Sequence, residues 1–129
     1  QELYPKVAAA DALILGTPVN MAEMTALMKA FLERLCWVMA TPGRWPLRGC
    51  PRPRCARERR AALVVTSGLV PPLLRRWCDL ATPQLAGFCK WNLNARVVAR
   101  LYAGAIRKRG VEYYMKQAYV LGQQLAGPA

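Results

Sequence analysis

Residues 10–35, ADALILGTPVNMAEMTALMKAFLERL, decide the fold. Within them, a short apolar run at residues 12–15 ends at Gly16. So brief a run predicts a strand buried on both faces, as in a parallel sheet. We expect Thr17 and Pro18 to stop this strand, because proline holds the preceding residue extended and cannot donate to a central ladder.

After this strand the apolar residues recur at helical spacing. They are Met24, Leu27, Met28, Phe31, Leu32 and Leu35. Lys29 and Glu33 fall on the other side, four residues apart, where they can pair. The pattern predicts a helix from Met24 to about Met39, preceded by a tight loop at residues 17–22. That loop lies at the carboxyl end of a strand, where open α/β sheets bind their ligands.

The rest of the chain continues the alternation of strands and helices. Residues 1–10 are typical of the end of a helix, and apolar runs predict strands at residues 61–66 and 95–103. A terminal helix is predicted at residues 112–126, with Tyr114, Ala118, Leu121 and Leu125 facing inward. This order implies right-handed crossovers onto a parallel sheet, which is an α/β fold.

Two helical pieces are predicted between the second and third strands. Pro71 and Pro72 suit a helix start, and Pro83 predicts a kink or a restart before a second piece at residues 84–90. The predicted inward stripe consists of Leu73, Leu74, Trp77, Cys78, Leu80 and Ala81.

The segment Gly16-Thr17-Pro18-Val19, followed by Leu27-Met28-Lys29-Ala30-Phe31-Leu32-Glu33-Arg34, resembles the flavodoxin-like NAD(P)H-dependent FMN reductases and the related iron-sulfur flavoproteins. Those proteins carry Ser/Thr-Pro-Val-Tyr after their third strand, then a helix ending in Lys-Ala-Phe-x-Asp/Glu-Arg. Asn20 stands where the family usually has an aromatic residue near the flavin. Tyr102-Ala103-Gly104 is similar to a Tyr-x-Gly segment that ends a later strand in the family.

This resemblance implies a flavodoxin-like three-layer α/β/α fold with a parallel sheet. In the family about a third of the fold, including the loop that holds the FMN phosphate, precedes the matching segment. We therefore expect residues 1–129 to be a single flavodoxin-like domain that is N-terminally incomplete.

The resemblance also implies which residues contact FMN. One set lies in the loop after the first strand, namely Thr17, Pro18, Val19, Asn20, Met21 and Ala22, and the other after the second strand, namely Thr66, Ser67 and Gly68. Glycine allows a close backbone approach, and hydroxyls can satisfy polar flavin atoms. The alternatives are structural: Thr17-Pro18 as a simple strand terminator, and Ser67 as the cap of the next helix.

A basic segment rich in proline and arginine occupies residues 40–60. Its seven arginines, Arg44, Arg48, Arg52, Arg54, Arg57, Arg59 and Arg60, face one acid, Glu58. In the resembling family this is a long connection, and Cys50-Pro51-Arg52-Pro53-Arg54-Cys55 is similar to a loop insertion into it. Three interpretations stay open: a solvated basic loop, a loop that attracts the phosphates of NADPH or an acidic partner, and a non-specific nucleic-acid contact.

The amino-acid composition limits which metal sites and catalytic side chains the chain can contain. The chain has five cysteines and no histidine, so a four-ligand zinc site is not expected, and we predict no metal ligands. Flanking arginines favour a redox-labile pair of Cys50 and Cys55 instead. Neither a nucleophile with its base nor a pair of acids stands in a catalytic motif, so no catalytic side chain is predicted. The apolar stretches are too short to cross a membrane, no leader is visible, and we expect a cytoplasmic protein with reduced thiols.

The resemblance implies an FMN-dependent oxidoreductase that takes hydride from NAD(P)H and reduces a small acceptor such as a quinone, a free flavin or a metal ion. It also implies a homodimer or homotetramer, in which we expect Trp37 and Trp45 at the interface. The alternative is a flavodoxin-like module without catalysis, whose net charge of +12 serves an acidic partner or nucleic acid. Of these partners, we expect nucleic acid least.

Overall fold

A computed structural model of the protein describes residues 3–44, 46 and 49–127. The longer elements alternate between helix and strand, as the sequence pattern predicts. The helices are α1 Leu3–Ala9, α2 Ala26–Met39, α3 Arg75–Cys78, α4 Ala81–Trp91, α5 Ile106–Arg109 and α6 Glu112–Ala126, with a 3-10 helix at Pro72–Leu74. The strands are β1 Ala12–Asn20, β2 Glu23–Met24, β3 Ala40–Thr41, β4 Arg52–Pro53, β5 Arg59–Thr66 and β6 Ala95–Ala103.

The main sheet has the strand order β2-β1-β5-β6. β1 runs parallel to β5, with Ala12 opposite Arg60 at one end and Pro18 opposite Thr66 at the other. β5 in turn runs parallel to β6. Only the short β2 is antiparallel, so the sheet is mostly parallel and confirms the predicted flavodoxin-like α/β class.

Apolar side chains pack on both faces of this sheet, which makes the described elements a three-layer arrangement. On one face α2 and α4 contribute Leu35 and Leu85, which pack with Leu63 of β5. On the other face α6 contributes Tyr114 and Leu121. The four inward positions predicted for α6 are confirmed, because Ala118 and Leu125 also pack against this second cluster.

The prediction that Thr17 and Pro18 stop the first strand is wrong. β1 continues to Asn20, and both residues stay in register with β5. Among the described residues, β1 pairs with β5 alone along these positions, and proline is tolerated where a strand has a partner on one side only. The chain then turns at Met21 and Ala22 and returns as β2.

The next helix also starts later than predicted. α2 begins at Ala26, and the Thr25 hydroxyl caps it by accepting a hydrogen bond from the Met28 amide at 3.3 Å. Met24, which we expected at the start of the helix, belongs to β2 together with Glu23.

The predicted inward stripe of residues 73–81 is largely wrong. Leu73 and Trp77 are 86% and 71% exposed, and Leu74 and Leu80 are also exposed. This segment folds as a 3-10 turn and a single turn of helix, too short to present a continuous face to the core. Ala81 of the stripe is buried, at the start of α4.

Pro83 lies at a helix restart, as predicted, although the second helical piece begins at Ala81 and not at residue 84. It lies in the first turn of α4, where a missing amide hydrogen removes no intrahelical bond. Toward the start of the chain, Leu3 of α1 is 55% exposed.

Candidate functional site

Both predicted flavin-binding segments lie at one edge of the sheet. The carboxyl ends of β1 and β5 are adjacent, with Pro18 opposite Thr66. The loop after β6 is joined to them, because the Ser67 amide donates to the Ala103 carbonyl at 2.9 Å and the Ile106 amide donates to the Ser67 carbonyl at 3.0 Å. Three loops therefore form one rim at the carboxyl ends of the parallel strands, where sheets of this kind bind ligands.

The turn between β1 and β2 is strained. Met21 and Ala22 have φ angles of 52° and 67°, a region that non-glycine residues rarely occupy. Two such residues in a row suit a two-residue hairpin turn, but asparagine and glycine are the usual occupants. Strain of this kind persists only where the surroundings hold it, and it is common at ligand sites.

Helix α4 holds this turn in place. The Leu80 amide donates to the Ala22 carbonyl at 2.8 Å. Gln84 Nε2 donates to both carboxylate oxygens of Glu23, at 3.1 and 2.9 Å. The strained turn is therefore anchored from outside the hairpin, and its backbone groups are presented in a fixed orientation.

The Thr17 side chain is buried, and its hydroxyl forms hydrogen bonds within the protein. Thr17 is 3% exposed. Its hydroxyl donates to the Pro18 carbonyl at 3.0 Å, accepts from the Thr25 amide at 3.2 Å and contacts the Thr25 hydroxyl at 3.3 Å. Thr17 thus ties the end of β1 to the cap of α2, and it supports the rim from beneath.

Ser67 is likewise buried and used structurally. Its hydroxyl accepts a hydrogen bond from the Val70 amide at 3.1 Å, which closes a turn ahead of the 3-10 helix. Ser67 does not cap that helix, whose N-cap is Pro71. Tyr102 stands behind the turn, and burial raises the pKa of its phenol, with a hydrogen bond to Ser67 opposing the rise.

The members of the two segments that face outward are Pro18, Asn20, Met21 and Gly68, with Met21 97% exposed. Val19, Ala22 and Thr66 are half-buried. This combination of exposed backbone, one free-standing amide side chain and apolar surface fits the flat ring of a flavin, which needs apolar contact on its face and polar groups at its edge.

Arg107 also lies at the rim. Its amide donates to the Gly68 carbonyl at 3.1 Å, and its guanidinium stands 3.5 Å from where a Cβ of Gly68 would be. A Cβ at this position would make only an ordinary van der Waals contact with the arginine side chain, which therefore passes beside the loop without a clash. The exposed Arg107 therefore brings positive charge to the edge that would hold the ligand.

The loop after β6 is the part of the rim that sequence reasoning did not include. Ala105 adopts a φ of 53° and is buried, and the Gly104 carbonyl accepts a 2.6 Å hydrogen bond from the Tyr114 hydroxyl. The Tyr102-Ala103-Gly104 segment was the available signal. Its similarity to the family's Tyr-x-Gly segment at the end of a strand indicates a loop at the same edge of the sheet.

The model of the NADPH-dependent FMN reductase family matches residues 1–100. The chain belongs to the NADPH-dependent FMN reductase family. FMN is the cofactor of this family and NADPH its reductant, where the resemblance implied FMN with NAD(P)H. No curated protein matches the chain.

Solved structures agree with this assignment at the level of the fold. A flavone reductase superposes with a TM-score of 0.71 at 16% sequence identity, covering 97% of this chain and 44% of its own. A candidate quinone reductase from Klebsiella pneumoniae superposes with a TM-score of 0.64 at 19% identity, covering 97% of this chain and 52% of its own. The chain thus spans about half the length of these two proteins.

Other kinds of site were sought over the same part of the chain. The described residues contain no group of three or more His, Cys, Asp or Glu side chains that could hold a metal ion. Cys50 and Cys55 are both unpaired thiols and half-buried, so their predicted redox lability stays a prediction. No described helix is long and apolar enough to cross a membrane.

Proposed function

We propose that the protein is an FMN-dependent oxidoreductase that takes reducing equivalents from NAD(P)H and passes them to a small acceptor such as a quinone, a free flavin or a metal ion. The observation that carries the proposal is the rim itself. Two loops chosen from sequence, at residues 17–22 and 66–68, lie side by side at the carboxyl ends of β1 and β5. Membership of the FMN reductase family supports the choice of cofactor.

In this proposal the residues of the rim have different roles in binding FMN. Asn20 supplies a side-chain amide, Pro18 and Met21 supply apolar contact, and Gly68 supplies accessible backbone, while the buried Thr17 and Ser67 fix the loops from below. Bound FMN supplies the hydride and electron chemistry. The chain's own task is to hold and orient the ring and to present positive charge from Arg107 at its edge.

Asn20 offers the sharpest test, because it is exposed and no hydrogen bond of its side chain is found among the described residues. Asn20→Ala should leave the thermal unfolding of the apoprotein unchanged. It should weaken FMN binding about three- to tenfold, because a single hydrogen bond contributes about 0.5–1.5 kcal/mol. The measurement is a titration of FMN followed by quenching of its fluorescence.

Gln123→Ala is the matched control. Gln123 is an exposed amide on α6, beside Gln124, whose carbonyl accepts a hydrogen bond from Arg60 at the opposite end of β5. This substitution should not change FMN affinity. Equal FMN affinity in Asn20→Ala and the unaltered protein would remove Asn20 from the site, and failure of the unaltered protein to bind FMN would refute the function.

We further propose that the protein acts in the cytoplasm as a homodimer or homotetramer. Trp37 supports this proposal, because it is 63% exposed and its neighbour Val38 is exposed beside it. Trp45, the second predicted interface residue, lies outside the described residues. Light scattering should give a mass of two or four chains, and Trp37→Lys should shift it to one.

A further inference from the structure

Residues 68–80 form a strap along the rim of the candidate site. At one end of the strap the Arg107 amide donates to the Gly68 carbonyl at 3.1 Å. At the other end the Leu80 amide donates to the Ala22 carbonyl at 2.8 Å. The strap therefore runs from the loop after β6 to the turn after β1, and both of its ends are fixed to the rim.

The strap presents large apolar side chains to solvent. Leu69, Leu73 and Trp77 are 73%, 86% and 71% exposed, and Leu74 and Leu80 are 44% and 48% exposed. Leu73 and Trp77 lie four residues apart in consecutive helical turns, so they share one face. Single exposed apolar residues are normal in a folded protein, but a contiguous group of them marks an interaction surface.

Two polar residues of the strap face the protein instead. The Asp79 side chain is 1% exposed and accepts hydrogen bonds from Arg75 Nε at 2.9 Å and from the Thr82 amide at 2.8 Å. Arg75 also lies over the Tyr102 ring, with its guanidinium carbon 5.2 Å from the ring centroid. Hydrophobic burial alone would favour the opposite arrangement, with the leucines inside. The strap is therefore held by its polar groups, with its apolar side chains outward.

Met21 extends this surface to the other side of the rim. It is 97% exposed and precedes Ala22, to which Leu80 of the strap is hydrogen-bonded. We call the six exposed residues together the apolar surface, which consists of Met21, Leu69, Leu73, Leu74, Trp77 and Leu80. Since Met21 belongs to a candidate flavin-binding segment, a partner that covers the apolar surface also covers the edge of the candidate site.

Positive charge borders the apolar surface. Arg76 is exposed on α3, and Arg107 and Lys108 are exposed on α5, where Arg107 is hydrogen-bonded to the start of the strap. Asp79 is the one acid in residues 68–80, and it is buried. The exposed part of the strap therefore carries no negative charge, in a chain whose net charge is +12.

This combination fits the two layers of an anionic lipid bilayer. Leucine, methionine and tryptophan side chains insert at the boundary between headgroups and acyl chains, while arginine and lysine bind the phosphate groups. Single-stranded nucleic acid is also a polyanion, but it binds by stacking its bases on aromatic rings. Trp77 is the one aromatic residue of the apolar surface, so the chemistry of this surface favours lipid.

We propose that the apolar surface docks the protein on an anionic lipid bilayer, with the rim of the candidate site facing the lipid. Docking itself does not depend on the proposed function. Combined with that function, it gives the site access to an acceptor dissolved in the bilayer, such as a quinone with a lipid tail, and this consequence rests on the proposed function.

The test is co-sedimentation of the full chain with vesicles of phosphatidylcholine alone and with vesicles of phosphatidylcholine mixed with phosphatidylglycerol. We expect the protein to bind the mixed vesicles more tightly than the neutral ones. Leu73→Glu and Trp77→Glu should each weaken binding to the mixed vesicles at least about tenfold, because each removes an inserted apolar side chain and adds a repelled charge. Arg76→Gln should weaken the same binding about fivefold.

Tyr119→Glu is the matched control. Tyr119 is 70% exposed on α6, so this substitution adds the same charge at a similarly exposed position outside the apolar surface. Its binding to the mixed vesicles should stay within about twofold of that of the unaltered protein. Thermal unfolding of the glutamate variants should be unchanged, since the side chains they replace are exposed.

The proposal is overturned if the unaltered protein does not sediment with the mixed vesicles. It is also overturned if Tyr119→Glu weakens binding as much as Leu73→Glu, because net charge alone would then explain the affinity. A third contradicting result is that Leu73→Glu leaves vesicle binding unchanged and lowers the mass measured by light scattering, because the apolar surface would then be an interface between protein chains.

FMN retention, measured on the same samples, separates this proposal from the proposed function. Vesicle binding that depends on Leu73 and Trp77, by a protein that does not retain FMN, would support the docking surface and refute the flavin reductase. Retention of FMN by a protein that does not bind the mixed vesicles would refute the docking surface alone.

Discussion

Gly104 is the position in the rim where adding a single methyl group should destabilise the protein most. A Cβ at this residue would stand 2.5 Å from the Val70 carbonyl oxygen, 2.6 Å from Tyr102 Cε1 and 3.1 Å from Pro72 Cδ. The first two distances are shorter than the contacts that Cβ atoms make in protein structures. The Val70 oxygen is a backbone atom, so it cannot move aside as a flexible side chain would. Overpacking of this kind costs about 1–3 kcal/mol, so Gly104→Ala should lower the free energy of unfolding by about that amount.

The same substitution should also weaken FMN binding at the candidate site. The Gly104 carbonyl is the acceptor for the Tyr114 hydroxyl, and the adjacent Ala103 carbonyl accepts from the Ser67 amide. A backbone shift that relieves the clash therefore moves the loop after β5. We expect FMN affinity to fall together with stability.

Urea unfolding followed by far-UV circular dichroism measures the first effect. Gly122→Ala is the control, because a Cβ at Gly122 in α6 meets no heavy atom within 4 Å, and alanine there should add about 0.5–1 kcal/mol of stability. Unfolding of Gly104→Ala within about 0.5 kcal/mol of the unaltered protein would refute the packing described around the rim.

Two further predictions concern buried groups. Arg59 is 1% exposed, and its Nε and Nη2 have no hydrogen-bond partner among the described residues. Arg59→Met should therefore leave the free energy of unfolding, measured in urea, unchanged or raise it by up to about 2 kcal/mol. A decrease of more than about 2 kcal/mol would contradict this prediction. Burial raises the pKa of the Cys89 thiol from 9.0 to about 11, so its stabilising contribution is complete below pH 9 and is lost as the pH rises to 11. The stability difference between the unaltered protein and Cys89→Ala should accordingly shrink between pH 8 and pH 10.5, and a difference that grows would show that the thiolate is favoured in the fold.

The strands and helices with strong periodicity could be predicted from the sequence. β6 and α6 have the predicted bounds, and β5 begins two residues earlier than the predicted 61–66. Each of these elements buries one regular face, so the spacing of its apolar residues along the sequence predicts both the type of element and its bounds.

Residues 71–80 could not be predicted in the same way. The spacing of Leu73, Leu74 and Trp77 suits a helix, but tertiary structure leaves all three exposed. The pattern alone does not tell whether a neighbouring element exists to cover such a face. The continuation of β1 through Pro18 was missed for a related reason, since proline is unfavourable only in a central strand and the sequence does not say which strand is at an edge.

The adjacency of the two candidate segments could be predicted from the sequence, whereas the contacts of each of their residues could not. The two segments at residues 17–22 and 66–68 meet because parallel strands end at the same edge. However, Thr17 is expected to contact the flavin and Ser67 to offer it a hydroxyl, and both hydroxyls form hydrogen bonds inside the protein instead. Hydrogen bonds between residues distant in sequence, such as that between Ser67 and Ala103, are set by the packed fold and leave no local pattern.

The most direct test of the central claim is a visible absorption spectrum of the purified protein after incubation with FMN and desalting. We predict that the protein retains a yellow flavin band, that NADPH bleaches this band in the absence of oxygen, and that an added quinone restores it. A colourless protein from which all FMN has washed away would contradict the assignment of the rim as a flavin site.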